Sequence, residues 1–297
     1  MGISDAVVGQ RATVAVIQLV STADLQDNLD RTVALVDQAA KAGAQLVVLP
    51  EVFAQFSPLA QRALGERERN SDDAPVGRCL SALAKQYGIW IVGGTVPMAT
   101  SADHERVSAA CIVYNAKGEA CARYNKLHMF DVDVDDAQGS YRESATFLPG
   151  DANDVIVVPT PFGRLGLAVC YDIRFPELFR RLFALGVDMI AVPAAFTLKT
   201  GEAHWLPLLR ARAIENQCYI LGANQGGRHS PSRASSGGSV VINGWGEVLA
   251  EAGRGEAVLL AEIDLASLDH LRKSMPISQH QRYTTVPLSA TPIAPRD

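Results

Sequence analysis

The chain has 297 residues, 48% of them hydrophobic and 20% charged, so it can bury a large core without disulfide or metal staples. A formal net charge of −5, with lysines and arginines scattered along the chain, offers no field for a polyanion and argues against a nucleic-acid partner. The five cysteines are odd in number and include no CxxC pair or close Cys/His set, which speaks against a disulfide framework or a metal site.

The opening MGISDAVVGQR lacks a signal-peptide core, and no apolar run approaches the length of a membrane span. The expectation is a reduced, cytoplasmic protein that meets no membrane. Residues 12–19 (ATVAVIQL) predict a strand. DLQDNLDRTVALVDQAAKAG then spaces Leu29, Val33, Leu35, Val36 and Ala39 as the buried face of a helix ending at Gly43. AQLVVLP reads as a second buried strand, and a strand–helix–strand unit carries its chemistry at the strand's carboxyl end, where Glu51 stands.

Residues 76–88 predict a helix stopped by Gly88, and IWIVGGTVP, RVSAACIVYN and ACARYNKLHMF predict three strands. The acidic stretch 131–142 has no periodicity and reads as a surface loop. Because it joins Lys126 to Glu143, it is expected to shape the entrance to any site there. DVIVVPTPFGRLGLAVC gives two more strands, PELFRRLFALG a helix between Pro176 and Gly186, and DMIAVPAAF another strand. A helix over 202–217, the strands YILGANQ, SVVINGWGEVLAEAG and AVLLAEID, and the short helix LASLDHLRKSM complete the chain. The second half echoes the first with no linker between them, which favours one domain over 1–297, with a flexible start at 1–10 and a tail at 284–297.

Three segments carry chemistry. In LAVCYDIRFPELF an apolar strand delivers Cys170 to a turn before a helix opening at Phe175 and Pro176, whose dipoles would favour the thiolate; the same position also suits a small buried hydrophobe. In LVVLPEVF the apolar flanks would desolvate Glu51 and suit it to general-base work, or it caps a surface loop. In YNKLHMF, Lys126 is either a buried ammonium needing Glu51 or Glu143 as partner, or an edge-strand lysine with its head in water. His128 fits site orientation or a structural hydrogen bond. Trp90 and Trp205, with Cys79, Cys111, Cys121 and Cys218, read as packing residues.

Taken together and in this order, LPEVF, YNK and CYDIRFPE resemble the Glu–Lys–Cys triad of the nitrilase-like carbon–nitrogen hydrolase family, over nearly the whole chain. The resemblance implies an α/β fold, a four-layer α-β-β-α sandwich that pairs into a homodimer or higher homo-oligomer through helices of the Cys-bearing region. It implies Cys170 as nucleophile, Glu51 as general base, Lys126 as oxyanion stabiliser and Glu143 as the glutamate that holds the lysine. No metal and no cofactor are implied. The reaction is hydrolysis of a small linear amide, with ammonia released and a thioester formed between Cys170 and the acyl group.

TGEAHWLPLLRARAIENQCY, AAFTLKTG, GRHSPSRASSGG and NGWGEV resemble the Nit branch, whose members hydrolyse deaminated glutathione or ω-amides of 2-oxo acids. RFPE, LLRARAIENQCY and GRH look closer to the deaminated-glutathione amidases. For a carboxylate-bearing substrate Arg174 is a candidate contact, alongside a structural pairing with Asp172 or Glu177. Tyr171 offers its backbone N–H to the oxyanion, and Phe196 and Thr197 line the pocket or pack at a strand end. The chain departs from the branch at Ser236, Gly237, Gly238 and Ser239, where an aromatic and a histidine are usual, and at RYTTVPL. A different class, a non-catalytic scaffold that keeps the fold, is opposed by retention of all three triad residues. Serine-hydrolase, metallo-amidohydrolase and Rossmann readings lack their motifs.

Overall fold

A computed structural model describes residues 11–70, 72–136 and 138–286. In β1 (Arg11–Gln18) successive side chains face opposite ways, so Val14 and Val16 join one core cluster and Ala15 and Ile17 another. Asp24 caps α1 (Leu25–Lys41) by accepting the Asp27 N–H. Its buried face is Asn28, Leu29, Thr32, Val36 and Ala39; Val33, expected inside, is exposed because the stripe is rotated toward Thr32.

The first half continues with β2 (Leu46–Val48), α2 (Gln61–Arg69), α3 (Pro75–Tyr87), β3 (Trp90–Val92), β4 (Val96–Ala99), β5 (Val107–Tyr114) and β6 (Ala120–Asn125). The stretch 131–142, expected as a loop, is a small antiparallel hairpin, β7 (Asp131–Asp133) with β8 (Ser140–Arg142), whose Arg142 bonds Asp133 across the pair. β9 (Phe147–Leu148) follows.

The second half has β10 (Val157–Thr160), β11 (Gly163–Leu167), α4 (Pro176–Ala184), β12 (Met189–Ala194), the one-turn α5 (Leu198–Thr200) and α6 (Leu206–Asn216). The helix expected over 202–217 thus begins as a wide π turn, Gly201–Trp205, before α6. Then come β13 (Tyr219–Asn224), β14 (Gly226–Arg228), β15 (Ala234–Ser236), β16 (Val240–Ile242), β17 (Val248–Glu251), β18 (Ala257–Asp264) and α7 (Leu265–Ser274).

Each half builds one sheet around three parallel strands, β1-β2-β3 and β11-β12-β13. The first runs β18-β1-β2-β3-β5-β4 and the second β10-β11-β12-β13-β16-β17. Val14, Val16, Leu46 and Val48 share a core with Leu165, Leu167, Ala191 and Leu221, where the sheets face. Leu29 and Val36 of α1 and Leu80 and Leu83 of α3 cover the outer face of the first sheet, and α4 and α6 cover the second. The result is a four-layer α-β-β-α sandwich. One strand ties the halves together: β18 lies antiparallel to β1 along its whole length, from Arg11 opposite Asp264 to Gln18 opposite Ala257.

The expected flexible start at 1–10 lies outside the described residues, as does most of the expected tail. Its first residues, 284–286, carry no regular structure. Cys111 and Cys218 are buried as expected and Cys79 is half-buried, but Cys121 is exposed, because β6 runs along the outer edge of its sheet.

Candidate active site

Glu51 follows β2 on a tight turn. Val52 beside it takes φ 54° and donates its N–H to Thr95 Oγ1 at 2.9 Å, while Gln225 Nε2 donates to the Glu51 carbonyl at 3.1 Å. Gly94, at φ 53°, backs the turn so closely that a Cβ there would lie 2.0 Å from the Pro50 carbonyl oxygen. Glu51 as a whole residue is 4% exposed.

Cys170 occupies a left-handed elbow at φ 48°, beyond the end of β11. Such a conformation costs a non-glycine residue about 1–2 kcal/mol. Asp172 fixes it. Fully buried, Asp172 accepts from Val169 N–H at 2.8 Å, Tyr124 O–H at 2.6 Å, and the backbone and Nδ1 of His128 at 3.1 and 2.7 Å. His128 also stacks on Phe175, with ring centroids 3.6 Å apart, so it braces the elbow.

The helix expected to open at Phe175 and Pro176 does begin at Pro176, and the turn expected before it is a 3-10 turn, Cys170–Arg174. No thiolate is favoured at rest. Burial, and then the Glu51 charge, push the Cys170 thiol pKa well above its ordinary value, against the pull of Lys126 and the Ala195 backbone N–H.

Lys126 lies just past β6 and is 1% exposed. Its Nζ is 2.8 Å from Glu51 Oε1 and 2.7 and 2.8 Å from the two Glu143 oxygens. Burial alone would push the ammonium pKa down, but Glu143 and Glu51 outweigh it and hold the pKa well above the usual lysine value. Glu143 also accepts the Phe130 N–H at 2.6 Å; burial raises its pKa against the pull of Lys126. Glu51, Lys126, Glu143 and Cys170 therefore meet on the wall of one cavity of about 510 Å³.

Tyr171, Phe196 and Thr197 line the same cavity, as do Gln138, Tyr141 and Arg142 of the hairpin segment. Arg174 does not. The 3-10 turn swings it away, so that its guanidinium backs the Tyr171 and Phe196 rings at 5.8 and 5.6 Å and its Nη2 lies 3.2 Å from His204 Nδ1. Nor does it pair with Asp172 or Glu177 among the described residues; the Asp172 oxygens are occupied as above. Ser236–Ser239 lie behind the cavity wall, where Asn224 Nδ2 donates to Ser236 Oγ at 3.0 Å and to the Gly237 carbonyl at 2.6 Å. Trp205 is a buried anchor whose Nε1 donates to Gly238 O at 2.7 Å, and Trp90 is half-buried in β3.

Among the cavity residues that went unread in the sequence are His229 and Arg233, both in the GRHSPSR loop between β14 and β15. His229 stacks on Phe56 at 3.8 Å, and its two ring nitrogens lie 2.8 Å from Ser21 O and 2.9 Å from Ser235 Oγ. Burial pushes its pKa down to about 4, so the ring is neutral near pH 7. Among the described residues no cluster of three or more His, Cys, Asp or Glu side chains could hold a metal ion, and no helix is long and apolar enough to cross a membrane.

A buried thiol beside a Glu–Lys–Glu cluster, on a four-layer sandwich, defines a class of thiol hydrolase, and residues 13–273 match the family described as Carbon-nitrogen hydrolase. The chain belongs to the carbon–nitrogen hydrolase family. It is 41% identical to the deaminated glutathione amidase of Yersinia enterocolitica over 93% of this chain and 95% of that one. It is 36% identical to the omega-amidase NIT2 of Bos taurus over 90% of this chain and 94% of that one. The crystal structure of Saccharomyces cerevisiae Nit3, a member of the nitrilase superfamily, superposes with a TM-score of 0.83 at 30% identity, covering 94% of this chain and all of that one.

Proposed function

We propose that the protein is an amidase that hydrolyses the linear C–N bond of a small carboxylate-bearing amide, with deaminated glutathione as substrate. The observation that carries the reading is the buried Lys126 ammonium, bonded to Glu51 and Glu143 beside the Cys170 thiol in a cavity sized for a small molecule. The similarity to deaminated glutathione amidases supports the choice of substrate.

Cys170 rests as the thiol, so attack must be coupled to proton removal. Glu51 takes the proton as sulfur bonds to the amide carbonyl carbon. The oxygen, now anionic, is stabilised by Lys126 and the backbone N–H of Tyr171. Glu51 returns the proton to the departing nitrogen, which leaves as ammonia from a primary amide or as an amine from a secondary one such as deaminated glutathione. Water then gives a proton to Glu51 and its oxygen to the thioester carbon; collapse expels the sulfur, which recovers its proton. Glu143 holds Lys126 in place. The exposed Leu185 after α4 and Ile214 of α6 support a homodimer through these helices, and the free cysteines support a reducing, cytoplasmic setting.

The test compares kcat/KM for deaminated glutathione and 2-oxoglutaramate by release of 2-oxoglutarate, common to both. Deaminated glutathione should be preferred, and Cys170→Ala should abolish both reactions. Preference for 2-oxoglutaramate would make the protein an omega-amidase, and an inert wild-type chain across an amide panel would favour a scaffold.

A further inference from the structure

The cavity wall carries three strong cations, and two are spoken for. Lys126 is held by two carboxylates, and Arg142 donates to Asp133, Val132 O and Tyr141 O. Arg233 is different. Its guanidinium lies over the Tyr141 ring at 4.9 Å and the Phe56 ring at 5.7 Å, and one nitrogen, Nη2, donates to the Ala195 carbonyl at 3.0 Å. Nη1 is buried with no hydrogen-bond partner, and the residue makes no ion pair among the described residues. The nearby carboxylate, Asp136, has both oxygens committed, to the Gln138 and Gly139 N–H groups and to the Tyr141 hydroxyl.

A buried guanidinium donor left unbonded is costly, and such groups persist where a ligand completes them. We propose that Arg233 anchors the carboxylate on the acyl side of the substrate, its unpartnered edge donating to the carboxylate oxygens; this rests on the amidase reading above. The distance fits. Ala195 lines the cavity beside Cys170, and its carbonyl holds Arg233. Cys170 and Arg233 line the same cavity of about 510 Å³, which is about 10 Å across if roughly spherical. A five-carbon 2-oxo dicarboxylic acyl chain spans that gap, with its amide carbon on sulfur and its carboxylate on Arg233. The nearby Tyr141 and Phe56 rings hold the guanidinium by cation–π contact and help exclude water, which strengthens the ion contact.

An anchor on the acyl half acts whatever the leaving group. Arg233→Met, which keeps the packing between the rings, should therefore lower kcat/KM for 2-oxoglutaramate relative to its methyl ester by about tenfold to a hundredfold, through KM more than kcat. Arg233→Lys, which keeps the charge but loses the fork, should recover part of that ratio. Calorimetry gives a reading independent of turnover: 2-oxoglutarate should bind the Cys170→Ala protein and bind at least tenfold more weakly when Arg233→Met is added. An unchanged ester ratio in Arg233→Met, or equal binding of 2-oxoglutarate with and without Arg233, overturns the proposal. A wild-type chain that binds 2-oxoglutarate through Arg233 yet hydrolyses no amide would instead overturn the amidase reading alone. If Arg233→Met does not fold, Arg233→Lys decides: a ratio equal to wild type overturns the anchor.

Discussion

Lys126→Met removes the only cation from a buried cluster and leaves Glu51 and Glu143 facing each other without the ammonium that bonds both. Deleting one partner of a buried ion pair costs about 3–5 kcal/mol, because the remaining charge is stranded away from water. Both carboxylates are largely enclosed, with side-chain exposures of 5% and 16%, so solvent relieves only part of this. The pH dependence has a definite sign. The Glu143 pKa is already raised by burial, and losing Lys126 removes its largest lowering influence. A carboxyl whose pKa is raised in the folded state binds its proton more tightly there than in the unfolded chain. The variant's deficit should thus be largest above neutrality and shrink as pH falls. Urea denaturation of both proteins at pH 8 and pH 5.5 should show the deficit narrowing by roughly 1 kcal/mol or more. Turnover should fall about 10²–10³-fold at pH 8 through loss of oxyanion stabilisation. A deficit below about 1 kcal/mol at pH 8, or one that does not move with pH, would refute the picture of an ammonium balancing two buried acids.

At the Cys170 elbow the usual ranking of alanine over glycine should invert. Cys170→Gly should be about 1 kcal/mol more stable than Cys170→Ala in urea, since only glycine accepts φ 48° without strain, and both should be inactive. Gly94→Ala, which drives a methyl into the Pro50 carbonyl, should displace the Glu51 turn; expected are a loss of about 2 kcal/mol or more in stability and a fall in kcat. His229 is neutral in the folded state down to about pH 4 but titrates near 6.5 when unfolded. Its contribution is therefore complete above that range and is lost as pH falls from 6.5 to 4, by roughly 3 kcal/mol at the lower end. His229→Gln should flatten the stability profile over that window, which parallel urea titrations of the two proteins would measure.

The residues proposed to carry the chemistry were legible where chain punctuation fixed them. Glu51 follows Pro50 at a strand end, Lys126 closes an aromatic strand and Cys170 ends an apolar one, so their positions along the sheets follow from local pattern. Arg174 misled because nearness in sequence to Cys170 says nothing about side, and a single 3-10 turn sent it to the far face of Tyr171. Arg233 gave no periodic signal: it sits among Ser, Pro and His in a short loop, and its role depends on Phe56, Tyr141 and Ala195, which lie far away in the chain. The helix Gln61–Arg69 was silent for another reason. QRALGERER is nearly all polar, so no apolar stripe announces it, yet Leu64 and Gly65 are buried.

The pairing of β1 with β18 sets a timetable for the growing polypeptide. Arg11, made well before its partner, waits for Asp264 before that flank of its sheet is closed. Until then Val14 and Val16 belong to a ribbon with one bare margin, and contacts of such long range form slowly. Nascent chains stalled short of residue 257 should accordingly be captured by chaperones or stick to one another, whereas chains released past Asp264 should not.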